Sequence, residues 1–393
     1  MVSVARRAGT GLQIALIAIL SVPVAHVLFD EITAEDPNAA RSGPAWEARQ
    51  EKLARAAVFV PDAPADIGAV DVTRPVNDPD PVLTGEAVDC TFVPDAISGT
   101  TPKFDCRLPD GRVVKVKYGS TPERHAEVAA TRLLGALGFG ADRVEFVPKL
   151  RCRGCPPSPF RVRQLAELFF AGGVVERLAS DDRVRVFDAV TVERKLPGRE
   201  VEAGPIEGWG WFDLHVVDAE RGGATRAELD ALRLVALFLA HWDNKESNQR
   251  LTCLDDPEGP EDGPCREPLI MLHDLGATFG PTKVDWNEWR QAPIWIDAST
   301  CEVSMATMPY DGGTFVPVEI SEAGRQLLVA RLRQLTRAQV TDVFAVARFP
   351  APSGTEPAVP DVQPWVRVFF ERLAMLADRS PCPAGDAPAP GGE

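Results

Sequence analysis

A chain of 393 residues that is 45% hydrophobic can bury a large core, which excludes disorder throughout and leaves room for one two-lobed domain or two ordinary ones. Its formal net charge of −15, with Lys and Arg concentrated nowhere, excludes a nucleic-acid binder, because neutralising phosphates needs clustered cations. Acidic phosphorylated partners are repelled too, unless a local basic pocket receives them.

Arg6 and Arg7 precede GLQIALIAILSVPVAHVLF, a stretch about as long as a bilayer-spanning helix but interrupted by Gln13, Pro23 and His26. Residues 1–29 therefore read as an export signal or an uncleaved membrane anchor. A cut after Ala25 would put Pro23 within the small-x-small cleavage pattern, so removal and retention both stay open. Export places the protein in the periplasm or outside the cell, tethered to the inner membrane if the anchor stays. The eight cysteines agree, since an even count in an exported chain suggests disulfides. Cys90 and Cys106 flank a turn near Ser98 and Gly99, so two antiparallel strands closing there bring them opposite each other. Cys253 and Cys265 bracket the acidic, proline-rich LDDPEGPEDGP. Cys152 and Cys155 form CRGC: a tight disulfide, a redox pair or half of a zinc site, with no second CxxC or nearby His pair in the sequence to complete the zinc. Cys301 and Cys382 remain as a long-range pair by elimination.

Residues 30–83 are rich in Pro, Ala and Asp, with one helical interlude, PAWEARQEKLARAAVFV, and read as a stalk or a wrapping arm. Regular structure starts with DCTFVPD, PKFDCRL and RVVKVKYG, three short antiparallel strands joined by a glycine-containing loop and a tight PDG turn. Thr121-Pro122 then offers a helix start, and ERHAEVAATRLLGALGF carries apolar residues at helical spacing until glycine ends it near Gly138. EFVPKL and VFDAVTVERKLPG supply further strands. The second half turns helical. Thr225 and Glu228 make a capping box ahead of ELDALRLVALFLA, which is apolar nearly all round, as a buried central helix is. ISEAGRQLLVARLRQL, TRAQVTDVFAVAR and PWVRVFFERLAMLA are further helices, and the tail 381–393 is expected to be disordered.

Directly after the central helix stands His241-Trp242-Asp243-Asn244-Lys245-Glu246-Ser247-Asn248, followed further on by His273-Asp274-Leu275-Gly276. These stretches resemble the protein-kinase catalytic loop, H-x-D-x-K-x-x-N, and its metal-binding D-x-G. Phosphoryl transfer needs those residue types: a carboxylate to orient the attacking hydroxyl, a cation on the moving phosphoryl group, and an amide plus a second carboxylate for the metal. The resemblance implies Asp243 as catalytic base, Lys245 as the transition-state cation, Asn248 and Asp274 as ligands to Mg²⁺ or Mn²⁺, and ATP as the donor. Asn248 and Asp274 lie 26 positions apart, more than in a kinase hairpin, and the Cys253 to Cys265 excursion takes up most of the excess.

The resemblance also calls for a strand lysine on the nucleotide phosphates and a helix glutamate holding it. Lys117 is favoured and Lys115 is its rival, the two lying on one face of a strand. Glu127 is the natural partner, with Glu123 one turn earlier on nearly the same face. AISGTTPKF stands where the kinase glycine-rich loop would lie but has a single glycine; Ser98, Gly99 and Thr100 would offer N–H groups and hydroxyls to phosphate, and Lys103 a charge. VTVERKLPG would be the hinge, with Val190 to Glu193 beside the adenine.

The resemblance spans about residues 85–350. A helix running straight into the catalytic loop is similar to the HipA-type bacterial kinases, the phosphoinositide kinases and the secretory-pathway kinases. GTxPKF, VKxG and the E-x-x-A-x-R-L-L-x-A-L-G helix further resemble an exported bacterial family of unassigned function. An α+β, two-lobed kinase-like fold is implied, with a β-rich N-lobe over 84–196 and a mainly helical C-lobe over 197–380. The implied acceptor is a hydroxyl of a protein or glycan outside the cytoplasm. A catalytically inactive kinase-fold scaffold of the cell envelope and a nucleotidyl transferase on the same fold are the competing readings. The tryptophans of EGWGWFD and VDWNEWRQAPIWID read as packing, with a glycan platform as the alternative. Arg194, Lys195 and Arg199 read as a solvated basic edge. No HExxH, GxSxG or P-loop pattern supports a hydrolase or a P-loop NTPase.

Overall fold

The computed structural model describes residues 41–383 apart from 77, 79–82, 84–86, 95–98, 169–181, 205, 258, 261–262, 282–283, 309–311 and 350–360. The expected signal or anchor, Ser98 and all but the start of the expected tail lie outside the described residues. Helices and strands are mixed, so the class is α+β.

Five strands close a barrel: β1 (Val88–Val93), β2 (Lys103–Arg107), β3 (Val113–Lys117), β4 (Arg143–Arg153) and β5 (Val184–Arg194), in the order β1-β2-β3-β5-β4. The three antiparallel strands expected from the sequence are the first three staves, and β1 returns to β4 in parallel to complete the ring. Side chains alternate across β3: Val114 and Val116 enter the barrel core, while Lys115 and Lys117 face the other way. That parity puts two cations on the outer wall of the barrel. The register sets Phe92, not Cys90, opposite Cys106, so the Cys90–Cys106 disulfide is diagonal.

Helix α2 (Glu123–Ala136) packs on β4, burying Ala126, Ala129, Ala130 and Leu133. Its start is loose, with Thr121 Oγ1 accepting from the Glu123 N–H at 3.4 Å. Gly138, at φ 82°, ends it, as a left-handed residue just past a helix does.

In the second half, α4 (Arg226–Leu239) begins at the capping box of Thr225 and Glu228 and is buried along most of its length. Around it stand α5 (Trp286–Gln291), α6 (Glu322–Leu332), α7 (Arg337–Val346) and α8 (Gln363–Ala377), while α3 (Pro159–Leu168) lies beside β2. Phe238, Phe279, Trp289, Phe344 and Trp365 interlock mostly edge-to-face at the centre. A short sheet of β6 (Arg199–Glu200), β7 (Gln249–Cys253) and β8 (Pro268–Leu272) lies alongside. Trp209, Trp211 and Trp289 are buried, which fits the packing reading. Arg194 and Arg199 are buried as well, correcting the solvated edge: Arg194 pairs with Glu145 and Asp78, and Arg199 donates to the Pro264 carbonyl.

The segment after residue 41 wraps rather than projects. Its helix α1 (Pro44–Ala54) sends Arg49 into the interior, to the Gly208 carbonyl at 2.5 Å and Asp213 at 3.2 Å. Ala57 then bridges Leu269 at the edge of β8.

Four disulfides, Cys90–Cys106, Cys152–Cys155, Cys253–Cys265 and Cys301–Cys382, leave no free cysteine. They fit an oxidising, exported environment. Among the described residues no helix is long and apolar enough to cross a membrane.

Candidate active site

The site begins where α4 stops. Ala240 turns left-handed at φ 53°, and the following loop is tied down from several sides. The Trp242 N–H donates to the Ala277 carbonyl, and Asn244 Oδ1 accepts from the N–H groups of Thr314 and Phe315 at 2.9 and 3.0 Å. Asn248 closes a one-turn 3-10 helix, Glu246–Asn248, and its amide nitrogen donates to the Asp243 carbonyl at 2.6 Å. Lys245 Nζ lies 3.7 Å from Asp243 Oδ2.

The return to Asp274 is a β-hairpin. β7 and β8 pair from Gln249 opposite Leu272 to Cys253 opposite Pro268, and the disulfide-closed excursion beyond Cys253 leaves that register undisturbed. Asn248 and His273 therefore end side by side, with the His273 N–H on the Asn248 carbonyl at 2.8 Å. Asp274 follows in the left-handed region at φ 46°, which aims its carboxylate toward the barrel.

Lys117 Nζ meets Glu127 at 2.5 Å, Asp274 at 3.1 Å and Glu193 at 3.5 Å. Burial alone would lower the Lys117 pKa, but these three carboxylates outweigh it and hold the ammonium well above its usual range. Lys117 in turn holds Asp274 well below the ordinary carboxylate range. Burial, with Glu193 and Asp274 nearby, pushes Glu127 up to about 7 against the pull of Lys117. Lys115 lies 3.2 Å from the second oxygen of Glu193. Burial raises the Glu193 carboxyl, yet the two lysines dominate and bring it down to about 2. Both strand lysines thus share the wall, with Lys117 the deeper. Glu123, the rival helix carboxylate, bonds Thr101 instead.

Glu193 was expected near the adenine; its carboxylate is directed at Lys115 and Lys117. Gly99, Lys103, Lys115, Lys245, Asn248 and Asp274 line one cavity of about 470 Å³, and Thr100 is exposed beside Gly99. Burial lowers the Lys103 pKa.

Sequence reasoning missed the polar chain behind this cavity. Asp142 accepts from the Leu196 N–H at 2.7 Å and Arg250 at 2.8 Å, and stands 2.6 Å from His273 Nδ1. Burial raises Asp142, but Arg250 and His273 prevail and keep it ionised. Arg250 continues to Glu200, which pairs with Lys195. The chain links the segment after β5 to the residue preceding Asp274. A lone Asp at the head of the apolar run ADRVEFV and a His directly before D-x-G were its signals. Arg41 was missed too: it pairs with Glu246 of the loop and lies 3.6 Å from Asp213.

The residues present fit a hard divalent cation. With its amide nitrogen spent on Asp243, Asn248 keeps a side-chain oxygen beside the same cavity as the ionised, partly exposed Asp274. Oxygen donors of this kind suit Mg²⁺ or Mn²⁺.

No family profile and no curated protein matches the chain. Among solved structures it is similar to the crystal structure of a Helicobacter pylori proinflammatory kinase, CtkA, at 10% identity and a TM-score of 0.39, over 73% of this chain and 93% of that chain.

Proposed function

We propose that the protein is an exported, kinase-like phosphotransferase of two lobes, 84–196 and 197–380, that moves the γ-phosphate of ATP to a hydroxyl of a protein or glycan. The observation that carries this reading is the meeting of a strand lysine, a helix glutamate and the D-x-G aspartate: Lys117 within 2.5 Å of Glu127 and 3.1 Å of Asp274. Lys117, with Lys115 and Lys103 beside it, receives the nucleotide phosphates. Gly99 and Thr100 cover them. Glu127 and Glu193 orient the two strand lysines, Asn248 and Asp274 hold the metal, Asp243 orients the acceptor hydroxyl, and Lys245 neutralises charge on the moving phosphoryl group. The metal supplies charge neutralisation across the phosphates when bound.

The purified full chain, incubated with ATP and Mn²⁺ or Mg²⁺ and offered protein and glycan acceptors, is expected to yield a product heavier by one phosphate. Asp243→Ala and Asp274→Ala are each expected to lower transfer by about 100-fold or more while circular dichroism stays that of the parent. Transfer at the parental rate with both carboxylates altered contradicts the assignment. A product heavier by a whole nucleotide identifies a nucleotidyl transferase, and stabilisation by nucleotide and metal without any product identifies an inactive scaffold.

A further inference from the structure

The two disulfides of the barrel lie against each other. β1 and β4 run parallel with Cys90 in register with Cys152, and β2 brings Cys106 alongside. The sulfurs of Cys90, Cys106 and Cys152 all fall within 4.8 Å of one another, and Cys155 is bonded to Cys152. Four sulfurs from three strands and one turn therefore share one buried spot. Cys106 Sγ and Cys152 Sγ belong to different disulfides and stand 3.7 Å apart. In a tetrahedral zinc tetrathiolate, Zn–S bonds of about 2.3 Å separate neighbouring sulfurs by about 3.8 Å. That non-bonded contact already has the length of one edge of such a tetrahedron.

The sequence held a single CxxC with nothing to complete it; the fold brings the missing pair, Cys90 and Cys106, from two other strands. The surroundings suit the dianionic centre four thiolates make with Zn²⁺. Arg185 Nε donates to the Cys155 carbonyl at 2.7 Å, and Arg153, the last residue of β4, follows Cys152 directly. Gly154, at φ 77°, lets that turn fold back between its two cysteines.

We propose that Cys90, Cys106, Cys152 and Cys155 form a redox-switched metal site, two disulfides when oxidised and one zinc tetrathiolate when reduced. A phosphine reductant delivers two electrons to each disulfide and becomes its oxide with oxygen from water, whose two protons make the two thiols. Zn²⁺ then displaces the four thiol protons as four Zn–S bonds form. The metal ties β4 to β1 and β2, whereas in the oxidised chain one disulfide joins β1 to β2 and the other closes the turn after β4.

The test uses the full chain, reduced by a phosphine without oxygen and titrated with Co²⁺ as the probe for zinc. The expected result is one equivalent of Co²⁺ with the intense thiolate-to-metal and tetrahedral visible absorptions of an S₄ site, bleached by Zn²⁺. Both are expected to persist in Cys253→Ser/Cys265→Ser, which removes the other loop pair lying near a carboxylate. Cys106→Ser and Cys90→Ser are each expected to weaken Co²⁺ binding more than about tenfold. Three results overturn the proposal: no S₄ spectrum from reduced chain that retains its circular dichroism, a spectrum unchanged in Cys106→Ser, or reduced chain that unfolds and is not refolded by Zn²⁺.

Discussion

The barrel core consists of Val114, Val116, Val147, Val190 and Val192 with Phe92, Phe104, Leu108 and Leu150, pinned by four half-cystines. The helical half instead packs Phe238, Phe279, Trp289, Phe344 and Trp365 and buries a whole guanidinium, Arg372, against the carbonyls of Leu237, Phe238, Trp289 and Ala292. The thin core keeps its shape by closing on itself and by covalent ties, and presents Lys115 and Lys117 on strand geometry. The thick core keeps its shape by size, and presents Asp243 and Asn248 where a buried helix ends. The site forms where the outer wall of the one meets the helix end of the other.

The largest effects are expected in the helical half. Arg372 caps the last carbonyls of α4 just ahead of the loop that carries Asp243, and its burial lowers its pKa to about 9 without removing its charge at neutral pH. Arg372→Leu takes the guanidinium from four carbonyls; Leu237 keeps the Ala240 N–H and Phe238 keeps the Trp289 indole, so the loss falls on the Trp289 and Ala292 carbonyls and is expected to cost about 4 kcal/mol in denaturant unfolding. Removing Cys301–Cys382, whose partners lie 81 residues apart, is expected to cost about 4–5 kcal/mol, against about 3 kcal/mol for Cys90–Cys106, separated by 16. A larger loss from the barrel bond would reverse the comparison and show that the thin core depends on its staples beyond loop entropy.

Acid tests the loop region. Wholly buried His241 has its pKa pulled down to about 4 by burial, against the raising influence of Asp243 and Asp274. A folded pKa below the unfolded value gives stability that is complete above about 6.5 and lost as pH falls through about 4, in total about 3 kcal/mol. His241→Leu is expected to flatten that limb of a stability-against-pH curve. The contribution of His125, also lowered by burial, remains in the variant. The smallest effect expected is at the start of α4, where Thr225→Ala loses the N-cap and lowers stability by about 1 kcal/mol.

Short-range features of the fold were legible in the sequence. The Cys90–Cys106, Cys253–Cys265 and Cys301–Cys382 pairings, the PDG hairpin and the Thr225 capping box each rest on residues close in sequence or on simple counting, whereas CRGC was open between a disulfide, a redox pair and half a zinc site. Barrel closure was not legible, because β1 and β4 pair in parallel across more than a helix of intervening chain, and no local periodicity encodes that choice. For the site, spacing gave the loop residues and alternation gave the lysine face. The face of Glu193 and the Asp142–Arg250–Glu200 chain depend on where β5 and β7 sit relative to each other, which strand propensity does not specify. Composition left residues 30–83 open between a stalk and a wrapping arm, because the choice depends on Arg49 of α1 reaching an interior carbonyl.

The most direct measurement is anomalous diffraction from crystals grown with Mn²⁺ and a non-hydrolysable ATP analogue. The expected result is a manganese peak about 2.2 Å from side-chain oxygens of both Asn248 and Asp274, with the analogue's phosphates on Lys117. Manganese bound away from these two residues, or an analogue whose phosphates do not reach Lys117, would contradict a phosphotransferase site at the meeting of barrel and helices.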